Sequence, residues 1–126
     1  MTKTYIDNTL MDAADAEAWI ARLETAKKGK RCLWDADGCA CCLGVKADME
    51  GAWDDEVDCD GRRTIDGSWS YIATRRLSAW GIPEPVAVGL AALNDCSDTF
   101  TPVIAEIRRL FITERDATAA KYGWTA

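Results

Sequence analysis

Three Asp-Gly pairs lie in the middle of the chain, at residues 37–38, 60–61 and 66–67, and they limit the fold more than any other feature. Asp-Gly favours a tight hairpin turn, because both central residues of such a turn need a positive φ. Short β-compatible stretches flank the pairs, among them Arg62 to Ile65 and Trp69 to Ile72. We therefore predict one or two short antiparallel β-hairpins in this part of the chain.

Helical periodicity occurs on both sides of these turns. Apolar residues from Ala16 to Ala26 repeat every three or four positions, which predicts a helix over residues 12–28 with Asp12 as N-cap and Gly29 as its end. Similar patterns predict helices at 42–50, ended by Gly51, and at 75–80, 85–94 and 101–122. Three to five helices with one or two hairpins make an α+β fold.

A length of 126 residues suits one domain, and no linker or repeat divides it. We predict a single domain over residues 1–126, with its core between about residues 12 and 123. The longest apolar run, Val86 to Leu93, is far shorter than the ~20 residues that span a bilayer. Met1 to Asn8 contains no apolar signal region. We therefore expect a cytoplasmic protein that does not contact membranes.

Histidine is absent from this sequence, which excludes Ser-His-Asp and Cys-His catalysis by this chain alone. Fifteen basic and 21 acidic residues give a net charge of −6, which disfavours direct binding to nucleic acid. Basic protein surfaces are the better match for such a chain. These facts favour a binding protein and leave an enzymatic role open.

Acidic residues are concentrated between Asp48 and Asp60, where seven acids occur without a base. Five of them form the predicted binding patch, which we call the acidic segment: Asp54, Asp55, Glu56, Asp58 and Asp60. A solvated loop is the plainer interpretation. Residues 56–61 also resemble the first half of a calcium loop, but Gly67 stands where that loop needs a bidentate Glu. Exposed tryptophans, from the six in the chain, would mark a binding surface.

Six cysteines allow three interpretations. Cys39 and Cys42 have C-x-x-C spacing, and with Cys32 and Cys59 they form a candidate zinc site, although no second C-x-x-C is present. Alternatively, the cysteines pack as small buried hydrophobes. A third interpretation makes Cys42 a redox-active thiolate whose pKa is lowered by the N-terminus of the predicted helix.

Basic residues occur in pairs, and two of them suggest a second kind of site. Arg62 and Arg75, with Asn94 and Asp95, are candidates for a pocket that holds a nucleotide or another phosphate ligand. No Gly-rich phosphate loop accompanies them. Solvated helix ends are the alternative.

The segment Cys41-Cys42-Leu43-Gly44-Val45, followed by Asp48, resembles a group of small uncharacterised proteins of tailed bacteriophages and prophages that carry a CCLGV motif. The resemblance covers about residues 16–112. Its further matches are Trp19, Leu90, Leu93-Asn94-Asp95, Phe100, Ile104-Ala105 and Ile107-Arg108. The spacing from Phe100 to Ile104 is one residue longer than in that group.

The resemblance implies a phage origin and a role in the cytoplasm of the infected bacterial host; it implies no catalytic residue. Together with the acidic segment, it predicts an accessory protein that binds and modulates, or inhibits, a host protein. A factor of nucleic-acid handling or antiviral defence is the expected partner. The alternatives are a nucleotide-binding or structural zinc-binding module and a thiol redox protein. The oligomeric state is not predicted.

Overall fold

The computed structural model describes residues 4–126, so the first three residues of the predicted domain lie outside it. This range contains six α-helices: α1 (Ala13–Leu23), α2 (Cys42–Glu50), α3 (Thr74–Ala79), α4 (Glu84–Asp95), α5 (Thr101–Arg108) and α6 (Arg115–Tyr122). A π-helical turn (Arg109–Thr113) joins α5 to α6. Only isolated β-bridges, and no strands, occur between residues 4 and 126. The fold is all-α, and the predicted α+β class is wrong.

The Asp-Gly pair at 37–38 does form a turn, but a side chain closes it. The Asp35 carboxylate accepts hydrogen bonds from the backbone N–H groups of Asp37 and Cys39, both at 2.9 Å. A single antiparallel bridge, between Trp34 and Ala40, follows the turn. Because the carboxylate satisfies the amides that a strand ladder would pair, no hairpin extends from this turn.

The pair at 60–61 repeats this arrangement around Asp58. The carboxylate accepts from the N–H groups of Asp60 and Arg62, both at 2.9 Å, and the Asp58 N–H donates to the Arg62 carbonyl. Gly61 lies at φ +78°, and a Cβ on it would be 3.0 Å from the Ala36 side chain. The two D-x-D-G turns therefore pack against each other.

The third pair forms the tightest turn. Asp66 and Gly67 both have positive φ, 52° and 82°, between Ile65 and Ser68, whose backbones exchange two hydrogen bonds. This is the turn geometry that Asp-Gly predicts. The pairing nevertheless stops at one bridge.

Helix α1 begins as predicted and ends five residues early. Asp12 is the N-cap and accepts from the Asp15 N–H. Beyond Leu23 the chain turns so that the Gly29 N–H donates to the Ala40 carbonyl at 2.7 Å. Gly29 therefore lies where two backbone segments come close together. The prediction that it ends the helix is wrong.

The predicted helix over 101–122 is also interrupted. After the π-helical turn, Glu114 leaves helical geometry and α6 begins. The Arg115 guanidinium donates to the carbonyls of Phe111, at 3.0 Å, and Met11, at 2.7 Å. This tertiary contact with the N-terminal segment fixes the break.

Helix α2 lies at the centre of the core and has the predicted bounds, with Gly51 in the left-handed conformation at its end. All six residues from Cys42 to Ala47 are buried. A Cβ on Gly44 would lie 1.7 Å from the Leu33 carbonyl oxygen, so only glycine fits there. The CCLGV segment therefore packs the core.

None of the helices between residues 4 and 126 combines the length and the apolar character needed to cross a membrane.

Candidate functional site

The acidic segment follows α2 and is anchored to it through Asp48. The Asp48 carboxylate accepts from the Trp53 indole at 3.0 Å, from Arg22 at 2.6 Å and from Arg63 at 3.1 Å. The Arg63 guanidinium also lies over the Trp34 and Trp53 rings, at 4.8 and 5.7 Å from their centroids. This cluster fixes where the acidic segment leaves the core.

Asp54 organises the first part of the segment. Its carboxylate accepts hydrogen bonds from the Thr64 hydroxyl at 2.6 Å and from the N–H groups of Asp66, at 3.1 Å, and Gly67, at 2.8 Å. The Thr64 hydrogen bond, helped by the two amides, lowers the pKa of Asp54. The Asp54 carboxylate therefore stabilises the turn at Asp66 and Gly67.

Asp58 organises the second part. Partial desolvation would raise its pKa, but hydrogen bonds from the Arg62 backbone and guanidinium outweigh it, so the pKa is lowered. The guanidinium is 2.8 Å from Asp58, 3.0 Å from Asp60 and 4.0 Å from the Trp69 ring centroid. The Arg62 guanidinium thus contacts two carboxylates and the face of an indole ring.

The remaining acids point outward and are not paired. Asp55 and Glu56 are exposed, and neither forms an ion pair within the described part of the chain. Val57 between them and Asp58 is 58% exposed, Trp69 is 37% exposed and Tyr71 is 60% exposed. Unpaired carboxylates next to Val57, together with the Trp69 ring that Arg62 joins to the acidic segment, have the composition of a protein-binding surface.

The candidate zinc ligands are not brought together. Within residues 4–126, no three cysteine or acidic side chains lie close enough to one another to hold a metal ion. Cys42 is buried, Cys32 and Cys39 are half-buried, and Cys59 is exposed beside Asp58 on the second D-x-D-G turn.

Cys42 does not have the predicted low-pKa thiolate. Burial raises the pKa of its thiol well above the ordinary value, and a negative charge on the neighbouring Cys41 would raise it further. Burial likewise raises the pKa of Cys41 to about 11, and the Cys41 sulfur caps α2 by accepting from the Gly44 N–H. Both cysteines behave as buried hydrophobes, the second of the predicted interpretations.

The predicted phosphate pocket is also dispersed. Asn94 is fully buried and joins two segments, accepting from the Cys42 N–H at 3.1 Å and donating to the Gly29 carbonyl at 3.0 Å. Asp95 accepts from the Arg31 N–H. Arg62 binds the acidic segment, and Arg75 lies 3.6 Å from Asp66. Each of the four has a structural partner.

A groove that the sequence analysis missed lies between α4, the π-helical turn and α6. Its volume is about 400 Å³, within the range of ligand and peptide pockets. The floor is apolar, and the rim carries Glu106, Arg109, Glu114 and Lys121. The Arg109 guanidinium forms two hydrogen bonds with Glu106, at 2.7 and 2.8 Å, and one with Glu114 at 3.3 Å. One sequence signal was available: Gly89, in the middle of a predicted helix.

Comparison with known proteins adds no relative to this picture. No family model matches the chain, and no curated protein or solved structure is significantly similar to it. The resemblance to the phage CCLGV group therefore stays a prediction from the sequence.

Proposed function

We propose that this chain is a phage-encoded accessory protein that binds a basic surface of a host protein and thereby modulates or inhibits it. The observation that carries the proposal is that Asp55 and Glu56 are exposed without an ion pair within residues 4–126, beside exposed Val57, in the segment whose Asp58 and Asp60 hold Arg62 over the exposed Trp69 ring. The phage origin and the cytoplasm of the infected host as its location rest on the CCLGV resemblance alone.

The electrostatics favour a basic partner. The chain carries −6 net charge, and the acidic segment concentrates part of it on a surface loop. Such a patch accelerates encounter with an Arg- and Lys-rich surface, and it presents the charge that a nucleic-acid backbone presents. A host factor that handles nucleic acid, including one of antiviral defence, offers a surface of this kind.

The order within the segment favours binding over passive solvation. Asp54 and Asp58 hold the backbone with side-chain hydrogen bonds, and Arg62 is fixed on Trp69. A surface that is ordered before binding loses less conformational entropy on association than a flexible loop does. The outward groups are therefore presented by a rigid support.

The test compares capture from a bacterial host lysate by four forms of the purified chain, at low and at moderate salt. The wild type is expected to retain a stoichiometric partner, and Asp55→Lys with Glu56→Lys is expected to weaken capture at least about tenfold, because two free carboxylates become like charges. Trp69→Ala should weaken it as well, by removing the exposed indole that Arg62 contacts.

The matched control is Asp7→Lys with Glu24→Lys, which makes the same change in net charge at two other exposed positions. Its capture should equal that of the wild type. Equal capture by both double variants would show that net charge alone is responsible and would refute the proposed surface. The absence of any stoichiometric partner at both salt concentrations would refute the proposed function.

A further inference from the structure

Helix α4 has apolar residues on its outer face as well as on its inner face. Four exposed positions, spaced at three and four residues, form one stripe: Pro85, Val88, Gly89 and Ala92. No charged residue occurs from position 85 to position 94. A helix that faces water on one side normally carries charged side chains there. The outer face of α4 therefore has the composition of a buried surface.

Gly89 has no role in the packing of its own chain. A Cβ at this position would meet no atom within 4 Å, and its φ is not positive, so neither a turn nor a close contact requires glycine. Glycine inside a helix is less favourable than alanine. A glycine at this position would, however, let the backbone of a second chain come close to α4.

The stripe continues into the groove between α4 and α6, because Pro85 and Gly89 belong to both. Leu90, Leu93 and Leu110 are part of the apolar lining of the groove. The π-helical turn forms one wall, and π-helical turns recur at functional sites. Stripe and groove thus form one continuous apolar surface, bordered by charges only at its rim.

We propose that this α4–α6 surface is the interface between two copies of the chain, related by a twofold axis, with the α4 helices packed against each other. A small molecule in the groove would leave Val88 and Ala92 exposed to water. A helix of another protein chain can cover both the groove and the stripe. A strongly charged partner would find no opposite charge along the stripe. The stripe from Pro85 to Ala92 carries no charge, with Glu84 and Asp95 only beyond its two ends, so a second copy offers an apolar stripe of the same length and shape.

The charges around the surface agree with self-association. Two copies that each carry a net charge of −6 repel each other. This electrostatic repulsion is weakest where their uncharged faces meet. The rim carries both signs. Lys121 has no carboxylate within 4 Å in the described chain, whereas Glu114 has one contact, at 3.3 Å, with Arg109. Lys121 is therefore available to a carboxylate of a second copy.

The size of the surface sets the expected affinity. Twelve residues make α4 about 18 Å long, and eight make α6 about 12 Å long. Such a footprint lies at the low end of specific interfaces. We therefore expect a reversible dimer in the micromolar range. No residue of the acidic segment lines the groove, so this dimer is proposed independently of the partner-binding surface.

Sedimentation velocity of the full chain, from about 10 μM to about 1 mM, tests the proposal across the range of weak interfaces. A reductant is kept present because the thiols of Cys59 and Cys96 are exposed. The wild type is expected to shift from monomer to dimer. Val88→Glu should weaken dimerisation at least about tenfold, by placing a charge on the stripe.

Two further variants make the result specific. Val57→Glu introduces the same change at a similarly exposed valine outside the α4–α6 surface, and it should dimerise like the wild type. Gly89→Leu should weaken dimerisation while raising the melting temperature of the monomer, since leucine favours the helix and blocks the second backbone.

A wild type that stays monomeric over the whole range would overturn the proposal and assign the stripe to a different partner. Dimerisation that is unchanged in both Val88→Glu and Gly89→Leu would also overturn it, because the copies would then meet elsewhere.

Discussion

Helix α2 and the turns of residues 52–72 are neighbours in the chain, yet they are held by different forces. Six successive residues of α2 are buried, and its position depends on apolar packing and on the fit of Gly44 against Leu33. Residues 52–72 contain no helix; carboxylates that accept from backbone amides hold them, as at Asp54 and Asp58.

This difference separates the residues that build the molecule from those that we propose meet a partner. The CCLGV segment, which is the most distinctive part of the sequence, is inaccessible to any partner. Residues 52–72 bury Ile65 and Ile72 in the core, and they present their unpaired carboxylates and the rings of Trp69 and Tyr71 to solvent. A distinctive motif is therefore not by itself a functional site.

The largest effect is expected from Gly44→Ala in α2. The new Cβ would overlap the Leu33 carbonyl, so we expect a loss of about 4 kcal/mol or more in the free energy of unfolding, measured by urea titration. Gly89→Ala is the control. Its Cβ meets no atom, and it should raise stability by about 0.5–1 kcal/mol. Similar values for the two variants would contradict the account of α2.

Asn94→Ala should give the next largest effect. It leaves the Cys42 N–H and the Gly29 carbonyl without their side-chain partner, which we expect to cost about 3 kcal/mol in the same urea titration. Ser70→Ala, at an exposed position, should change stability by less than about 0.5 kcal/mol. A change of that small size in Asn94→Ala would show that the buried amide does not support α2.

Asp48 connects the two regions, and Asp48→Asn should loosen one more than the other. Loss of the charge-assisted hydrogen bonds from Arg22 and Arg63 is expected to cost about 1.5 kcal/mol. Hydrogen exchange should accelerate mainly in residues 52–72 and less in α2. Equal acceleration in both regions would show that they do not differ in the way proposed.

The pH dependence of the same residue gives a second measurement. Desolvation would raise the pKa of Asp48, but hydrogen bonds from Trp53 and Arg22 outweigh it, and the pKa is lowered. A folded-state pKa below the unfolded value of about 3.9 stabilises the protein fully above that value. This stability is lost as the pH falls through the folded-state pKa. The wild type should therefore lose more stability below about pH 4 than Asp48→Asn does.

The last prediction involves no change in stability: it concerns which cysteines of the folded chain react with an alkylating reagent. Exposed Cys59 and Cys96 should react with iodoacetamide near neutral pH, whereas Cys41 and Cys42, whose pKa values burial raises, should stay unmodified until the chain unfolds. Peptide mass spectrometry after timed labelling measures this. Rapid modification of Cys42 would restore the redox interpretation.

Local signals predicted where the helices lie, but the end of α1 and the break within 101–122 were wrong, and the turns were predicted only in part. Gly51 and the apolar spacing gave the bounds of α2, and Asp12 gave the start of α1, because caps and periodicity operate within a few residues. The hairpins were wrong because the carboxylates of Asp35 and Asp58 satisfy the amides that strands would pair. The sequence does not show whether a backbone amide donates to a neighbouring carboxylate or to another strand.

Long-range contacts account for the remaining differences. The break before α6 depends on Arg115 reaching the carbonyl of Met11, which lies 104 residues earlier. The acidic segment was predicted as a candidate, and an exposed tryptophan was expected at a binding surface, but that Trp69 is the one Arg62 joins to this segment depends on the path of the chain. The groove depends on the packing of three helical segments and was not predicted.

The two D-x-D-G turns have a consequence for how this molecule can diversify. Each is closed by its first aspartate and its glycine, and the residues between them, such as Cys59 and Asp60, take no part in the core. Replacement of those residues would therefore change the chemistry of the proposed binding surface while the helices stay in place. A chain built in this way can exchange one proposed partner for another without a new scaffold.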